Sequence, residues 1–393
     1  MTDAAPAAAI EFSDVDILYG AGQTARNGAR TAQALRLVDA GRTRQEIATA
    51  TGIVTGVIGA SVTVRQGEIA VLMGLSGSGK STLLRSVNGL TRVTRGSVQV
   101  RHKDAMLEVG PAERSVLRRV RQECVAMVFQ QFALLPWRTV RENVELGLEL
   151  RGMPAAERRR VALDKLQLVG LEGWADRHAS ELSGGMQQRV GLARAFATDA
   201  DILLMDEPFS ALDPLIRTKL QDELLAVQAS ARKTILFVTH DLDEALKLGD
   251  QISIMEGGRI VQTGRPEDIV LRPANDYVRE FVQHMNPLSV LTGDHIMQPA
   301  ETLEQRDGWL WLDPAGRYRL LLDAQGHASR VQDSYKDVAI GTAGMANVEG
   351  DASLREIIRL IHGSGHPVLL HEAGRFTGVC CAPDIIRALG IAR

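Results

Sequence analysis

The stretch that decides the fold is GEIAVLMGLSGSGKSTLLRSVNGL, residues 67–90. It reads as a short apolar strand over residues 69–73, a glycine-rich loop, and a helix with Leu83, Leu84 and Val87 on one face. Residues 74–81 satisfy the pattern G-x-x-x-x-G-K-[ST], and strand, loop and helix follow in the order that this pattern requires. The sequence therefore predicts a phosphate-binding loop, the P-loop, in an α/β domain.

Each residue type in the P-loop has a physical reason to hold phosphate groups. Glycines let backbone N–H groups approach the phosphates without a Cβ clash, and the start of a helix attracts anions. Lys80 is expected to reach the terminal phosphates, and Ser81 to ligate Mg²⁺. The predicted nucleotide-binding residues of this segment are Gly74, Ser76, Gly77, Ser78, Gly79, Lys80, Ser81 and Thr82.

Two further apolar stretches end in polar residues. Residues 202–205 run into Asp206 and Glu207, and residues 235–239 run into His240. Buried parallel strands read in this way, and their carboxyl ends are where α/β sheets bind ligands. Asp206 is placed to hold Mg²⁺ and Glu207 to polarise an attacking water. A mostly helical region between the P-loop and the first of these stretches, about 140–198, predicts a helical subdomain inserted in the α/β core.

Composition limits the class of protein. A chain of 393 residues suggests two to three domains, and a net charge of -3 gives no basic excess for nucleic acid. Three cysteines exclude a disulfide scaffold. No Lys or Arg precedes Arg26, so a secretory signal is not expected. The uncharged stretch 47–64 contains four Thr and three Gly, and is predicted to form strands and turns rather than a membrane span.

The pattern changes after Asn286 and Pro287. Pro, Gly and Asp are scattered as far as residue 350, and helix-like, strand-like and again helix-like segments follow. We therefore predict two domains, residues 1–286 and a small α+β domain over residues 287–393.

A second glycine-rich motif, LSGGMQQR at residues 182–189, decides the family. It predicts another anion-binding helix start, and one γ-phosphate cannot use two such sites of the same chain unless a partner chain supplies one. The motif resembles the signature of the ATP-binding cassette (ABC) family, and the resemblance covers about residues 10–285. In chain order, the matching motifs are the P-loop, MVFQQF (127–132), LSGGMQ (182–187), ILLMDE (202–207), SALD (210–213, the D-loop) and His240.

The resemblance implies an α/β P-loop NTPase fold with a helical subdomain, ATP and Mg²⁺ as ligands, and a head-to-tail homodimer. It assigns general-base chemistry to Glu207, γ-phosphate contact to His240, and Mg²⁺ binding and transport-subunit sensing to Gln130. Asp213 is expected to link the two subunits, and Tyr19 to stack on adenine unless it is a buried strand residue. The signature residues expected on the partner's ATP are Ser183, Gly184, Gly185 and Gln187.

Within that family, the chain resembles the ATPase subunit of quaternary-amine importers. The insertion between Tyr19 and Gly67 and the wording of the P-loop and signature motifs carry this resemblance. Residues 352–389 resemble one cystathionine-β-synthase-type (CBS) module, whose usual pair looks incomplete here. That tail and the chain length favour choline over glycine betaine or proline betaine as the cargo. A packing or dimerisation role is favoured for the tail over ligand binding or ionic-strength sensing.

The resemblance also implies partners. We expect integral membrane permease subunits, indirectly a periplasmic or extracellular substrate-binding protein, and a peripheral location on the cytoplasmic face of the membrane. The alternative is an ABC ATPase that acts on nucleic acid or the ribosome. Such proteins usually show paired cassettes, long coiled coils or zinc-binding insertions, none of which is visible in the sequence, so no nucleic-acid partner is predicted.

Overall fold

The computed structural model describes residues 6–20, 25–110, 112–283, 288, 290–341 and 344–391. The chain divides into two compact units, Met1–Thr263 and Gly264–Arg393. The predicted domain boundary after residue 286 falls inside the second unit. The helices Pro266–Leu271 and Asp276–Val282 belong to that unit.

The first unit is a mixed α/β structure. Its strands are β1 (Ala8–Tyr19), β2 (Val54–Arg65), β3 (Ile69–Met73), β4 (Arg95–His102), β5 (Ala105–Glu108), β6 (Val125–Val128), β7 (Ile202–Asp206), β8 (Thr234–Val238), β9 (Gln251–Glu256) and β10 (Arg259–Gly264). Its α-helices are α1 (Ala25–Asp39), α2 (Arg44–Thr51), α3 (Lys80–Ser86), α4 (Arg114–Arg119), α5 (Val140–Leu150), α6 (Ala155–Leu168), α7 (Gly184–Ala197), α8 (Pro214–Ala231) and α9 (Leu242–Leu248). A π-helical turn (Val120–Cys124) and 3₁₀ turns at Glu172–Trp174 and Ala179–Glu181 complete it.

A six-stranded sheet in the order β10-β9-β3-β8-β7-β6 forms the centre of this unit. The pairs β3–β8, β8–β7, β7–β6 and β3–β9 are parallel. Every residue of β3, β7 and β8 is buried, which explains why these strands are continuous apolar runs in the sequence. The predicted order of strand, P-loop and helix is confirmed by β3 and α3.

A four-stranded antiparallel sheet, in the order β2-β1-β4-β5, is the second layer of the unit. Apolar residues of both sheets, such as Ile10, Val64 and Leu72, share one core with Leu83 and Leu84 of α3. Because that core fixes the start of α3 between the two sheets, the P-loop has a rigid base.

One sequence prediction in this layer is wrong. Residues 47–51 were expected in strands and turns, but they form the second half of α2, and β2 begins only at Val54. The helix is initiated by a capping box, in which the Thr43 side chain accepts from the Glu46 N–H and the Glu46 carboxylate accepts from the Thr43 N–H. This cap and the burial of Ile47 outweigh the strand preference of the β-branched residues. Among the described residues, no helix is long and apolar enough to cross a membrane.

The predicted helical region, about 140–198, contains α5, α6 and α7 with the two 3₁₀ turns. The three α-helices pack on one another, and a buried carboxylate, Glu145, accepts from both Arg141 and Arg158. The helical subdomain therefore has its own polar clamp between α5 and α6.

The second unit contains two sheets. Its helices are α10 (Pro266–Leu271), α11 (Asp276–Val282), α12 (Gly293–Ile296), α13 (Leu354–Ser364) and α14 (Ala382–Ile391), with a 3₁₀ turn at Ala300–Thr302. Its strands are β11 (Gln298–Pro299), β12 (Glu304–Arg306), β13 (Trp309–Trp311), β14 (Tyr318–Leu322), β15 (Ala328–Asp333), β16 (Lys336–Val338), β17 (Asn347–Glu349), β18 (Val368–Glu372) and β19 (Arg375–Cys380). The order α13-β18-β19-α14 is helix, strand, strand, helix, whereas β12 to β16 form an antiparallel five-stranded sheet.

Candidate nucleotide-binding site

The strand order of the central sheet brings the predicted site residues to one edge. The P-loop follows β3 directly, Glu207 follows β7, and His240 and Gln130 lie two residues beyond β8 and β6. These four strands are neighbours in the order β3-β8-β7-β6. Residues that are far apart in the sequence therefore meet because the strands are parallel and end at the same level.

The P-loop backbone has the shape that a phosphate cradle needs. Gly74 and Gly79 have φ values of 142° and 104°, in the region that glycine tolerates. A Cβ on Gly74 would lie 2.1 Å from the carbonyl oxygen of Met255, and one on Gly79 would lie 2.5 Å from that of Gly56. The hydroxyl of Ser78 is buried without a hydrogen-bond partner. A buried polar group without a partner is costly, so this hydroxyl fits a site that is completed by a ligand.

Lys80 lies in the floor of the cradle. Its side-chain Nζ donates to the carbonyls of Gly74 at 2.8 Å and Leu75 at 3.0 Å, and the residue is buried. Burial lowers the pKa of the ammonium, and the negative charges of Glu207 and Asp206 offset part of this effect. A desolvated cation held by the loop's own carbonyls is suited to bind an anion at this point.

Asp206 is a fully buried carboxylate with two partners. The hydroxyl of Ser81 donates to its Oδ1 at 2.6 Å, and Arg85 pairs with its Oδ2 at 2.9 Å. Hydroxyl and carboxylate oxygens are the ligands that Mg²⁺ prefers, so Ser81 and Asp206 together fit this cation. Sequence reasoning missed Arg85, whose position one turn after Ser81 on α3 is its only local signal.

Glu207 is held in an unusual backbone conformation. Its φ is 48°, in the left-handed region, and such a residue costs about 1–3 kcal/mol. The side-chain Nε2 of Gln130 donates to Glu207 Oε2 at 3.1 Å, and Nδ1 of His240 lies 3.4 Å from the same oxygen. The structure therefore brings these three predicted residues together around one carboxylate.

A residue that sequence reasoning missed supports this conformation. Gln188 is fully buried in α7, and its Nε2 donates to the Glu207 carbonyl at 3.1 Å. Its Oε1 accepts from the N–H of Ala211 in the D-loop at 3.1 Å. One amide thus joins the signature helix, the Glu207 turn and the D-loop. The sequence signal for Gln188 is its position directly after the signature residues 182–187.

A cleft of about 340 Å³ lies above the P-loop. Tyr19 lines it and is 45% exposed, and its hydroxyl is 2.8 Å from that of Thr82. The residues lining the cleft are Tyr19, Arg44, Val54, Thr55, Gly56, Ser76, Gly77, Gly79, Lys80, Ser81, Thr82, Gln130 and Glu207. Tyr19 is therefore not a buried strand tyrosine, and its stacking on adenine stays a prediction.

The signature residues and Asp213 do not line this cleft. Ser183 caps α7 and accepts from the Met186 N–H at 3.4 Å, and Asp213 caps α8 and accepts from the Ile216 N–H at 3.0 Å. Gln187 donates to carbonyls of its own segment, Ala179 and Leu182. Gly184 and Gly185 form the first turn of α7, and a Cβ on Gly185 would lie 3.3 Å from the Ala211 carbonyl. These residues therefore form a second group, at the starts of α7 and α8, that lies outside the P-loop cleft of their own chain.

Comparison with known proteins identifies the family. The model of the family described as "ABC transporter" matches residues 57–210. The glycine betaine/carnitine transport ATP-binding protein GbuA of Listeria monocytogenes is 41% identical over 379 residues, covering 92% of this chain and 94% of GbuA. This chain belongs to the ABC transporter family, among the ATP-binding proteins of the quaternary-amine importers.

Two further similarities agree with this ABC assignment. The glycine betaine transport ATP-binding protein OpuAA of Bacillus subtilis is 52% identical over 276 residues, which cover 70% of this chain and 65% of OpuAA. A solved structure of the dimeric ATP-binding cassette MJ0796, bound to ADP and Pi, has a TM-score of 0.55 and 30% identity. It covers 65% of this chain and 98% of the cassette. The predicted fold class, an α/β P-loop ABC nucleotide-binding domain with a helical subdomain, followed by a small α+β domain, is confirmed.

Proposed function

We propose that this ABC ATPase hydrolyses MgATP to power the import of a betaine-type quaternary amine through separate membrane subunits. The observation that carries the ATPase part is the convergence of Gln130 and His240 on the carboxylate of Glu207, which lines the P-loop cleft. The cargo part is supported by the relatives OpuAA and GbuA, which are named for glycine betaine and for glycine betaine and carnitine.

In this proposal the chain's own residues do the chemical work. The cradle and Lys80 bind the phosphates, Tyr19 stacks on adenine, and Glu207 accepts a proton from the water that attacks the γ-phosphate. Gln130 and His240 orient the Glu207 carboxylate, and the turn held by Gln188 fixes its direction. Mg²⁺, when bound at Ser81, Asp206 and Gln130, would neutralise phosphate charge.

A second copy of the chain is part of the proposal. Ser183, Gly184, Gly185 and Gln187 lie outside the cleft of their own chain. An anion-binding helix start with no phosphate of its own to bind is suited to the nucleotide of a partner subunit. Asp213, at the start of α8, follows the D-loop residues that contact the start of α7, and it would pass information between the subunits. The exposed side chain of Trp137 near the Gln130 loop supports docking to membrane subunits.

The test is ATP hydrolysis by this chain reconstituted with its cognate permease and binding protein. We expect glycine betaine or proline betaine to stimulate turnover. Choline, which the tail favoured on sequence grounds, stays a prediction, and stimulation by choline alone would support it. If none of these amines stimulates hydrolysis, the cargo assignment is wrong. The same preparation without membrane subunits, tested with RNA and DNA, examines the nucleic-acid alternative, which predicts stimulation there.

A further inference from the structure

The insertion between β1 and β2 forms a small structure of its own. Helices α1 and α2 pack on the two strands around a separate apolar cluster, and the capping box fixes the first turn of α2. The cluster consists of Leu18, Ala34, Val38, Ile47, Ile53 and Ile58. Nothing in the proposed catalytic scheme uses this insertion. Helix α2, however, begins with Arg44, which lines the nucleotide cleft.

The Arg44 guanidinium binds three backbone carbonyls at once. Its Nε donates to Thr55 at 2.7 Å, Nη2 to Gly56 at 2.8 Å, and Nη1 to Gly77 at 2.8 Å. Thr55 and Gly56 belong to β2, whereas Gly77 is in the P-loop. A planar guanidinium can hold three acceptors in fixed directions, which an ammonium cannot. Arg44 therefore fastens the P-loop to the neighbouring strand from outside the cradle.

The carbonyl of Gly56 is also part of the cradle wall. It lies 2.5 Å from the position that a Cβ on Gly79 would occupy, so β2 and the end of the P-loop are in direct contact. The planar guanidinium of Arg44 donates to both this carbonyl and the Gly77 carbonyl, and so fixes their positions relative to each other. A shift of Arg44 would therefore change the distance between β2 at Gly56 and the P-loop at Gly77 and Gly79.

The charge of Arg44 is not compensated nearby. Among the described residues, no carboxylate forms an ion pair with it, and burial alone lowers the pKa of the guanidinium, which stays protonated. Arg95 in the same unit differs, because it pairs with both Asp16 and Asp39. A partly desolvated cation without an acidic partner, on the rim of a phosphate site, favours a ligand with more negative charge.

We propose that Arg44 is a positioning residue for nucleotide binding, which makes the insertion a built-in support of the P-loop. It sets the spacing of Gly77 and Gly56, and its unpaired charge favours the triphosphate over the diphosphate. This inference rests on nucleotide binding in the cleft, but not on the identity of the cargo.

The experiment measures the affinities of the full chain for ATP and ADP in Arg44→Ala, Arg44→Lys and a control, Arg42→Ala. Arg42 lies two positions earlier and is exposed, and its one ion pair among the described residues is with the exposed Glu46. We expect Arg44→Ala to weaken ATP binding about tenfold and ADP binding about threefold, because both the three hydrogen bonds to backbone carbonyls and the positive charge are lost. Arg44→Lys keeps the charge, so it should restore the ATP/ADP ratio but not the full affinity. Arg42→Ala should bind as the parent does.

Several results would overturn all or part of the proposal. Parent-like ATP affinity in Arg44→Ala would exclude a role in binding, and an equal loss in Arg42→Ala would assign the effect to α2 stability. An unchanged ATP/ADP ratio in Arg44→Ala would remove the charge argument, even if both affinities fell. Lys80→Ala is the reference. If it binds ATP normally, the cleft itself is wrong, and the Arg44 proposal falls with it. If it loses ATP while Arg44→Ala binds normally, only the Arg44 proposal fails.

Discussion

The chain has two glycine-rich helix starts, one at α3 and one at α7, and their surroundings differ. At α3, the cap residue Gly79 makes no side-chain cap, the Ser78 hydroxyl is buried without a partner, and Lys80 supplies a buried cation. At α7, Ser183 is exposed and caps its own helix, and the first turn packs against the D-loop. The first start lies at the P-loop cleft, whereas the second is capped by its own serine and does not line that cleft.

This difference explains why a single chain is expected to bind nucleotide but not to complete the site. Helix α3 packs against β2, β7 and β8, and Arg44 of the insertion binds the Gly77 carbonyl, so the protein's own packing holds the cradle in place. The α7 start has polar groups suited to an anion, but its residues do not line the cleft of their own chain.

The largest effect is expected for Glu207→Gln. The amide cannot accept a proton from water, so turnover should fall by about 10²–10⁴-fold, while both helix starts remain intact and ATP stays bound. Steady-state hydrolysis and ATP binding by the purified chain measure the two quantities. Glu157→Gln, an exposed carboxylate on α6, is the control and should be unchanged. Hydrolysis at the parent rate would remove Glu207 as the base.

Lys80→Ala tests the α3 start itself. Loss of the buried ammonium removes its hydrogen bonds to the phosphates, each worth about 1.5–3 kcal/mol, so ATP affinity should fall by about 100-fold or more. Equilibrium binding of a fluorescent ATP analogue is the measurement, with the exposed Lys336→Ala as control. Retained affinity would contradict the P-loop assignment.

Gln188→Leu tests the link from α7 to the Glu207 turn. The substitution keeps the volume but leaves the Ala211 N–H without its acceptor and releases the Glu207 carbonyl from the amide. We expect turnover to fall about tenfold, the ATP affinity to stay within about twofold, and stability to drop by about 1–3 kcal/mol. Gln167→Leu on the exposed face of α6 is the matched control. A loss of ATP affinity as large as the loss of turnover would argue against a role confined to Glu207.

The smallest effect concerns pH. Burial lowers the pKa of Lys80, so the free protein loses this charge at a lower pH than an ordinary lysine would. Nucleotide binds the protonated form. ADP affinity should therefore be full at neutral pH and begin to fall at a lower pH than the ordinary lysine pKa of about 10.4 would give. Calorimetric titration across this range is the measurement. A flat profile would mean that Lys80 is not the cation that binds phosphate.

Much of the nucleotide site follows from local sequence patterns. The strand before the P-loop, the lysine and serine at its end, and the acids after β7 are continuous in the chain, so composition and spacing reveal them. The parallel order of β3, β8, β7 and β6 was not visible, but the rule that sites lie at carboxyl ends of parallel strands was enough to place His240 and Glu207 together.

The residues that were missed act through distant backbone groups. Arg44 binds carbonyls of β2 and the P-loop, and Gln188 binds a carbonyl 19 positions away. Because every residue has a backbone carbonyl, residue types do not indicate which carbonyl a side chain will bind. The wrong strand prediction at residues 47–51 has a different cause. The pattern Thr43-x-x-Glu46 signals a helix start, and the helix that it caps continues through the residues that follow to Thr51.

The most direct test of the account combines two defective chains in the Glu207→Gln background. Lys80→Ala removes the α3 start and leaves the signature intact, whereas Ser183→Arg blocks the signature and leaves the cradle intact. Size-exclusion chromatography with light scattering and bound-ATP analysis would follow them with MgATP. The account predicts that neither chain dimerises alone, and that the mixture forms dimers with one ATP for two chains. ATP-dependent dimers of Ser183→Arg alone, or a mixture that stays monomeric, would contradict it.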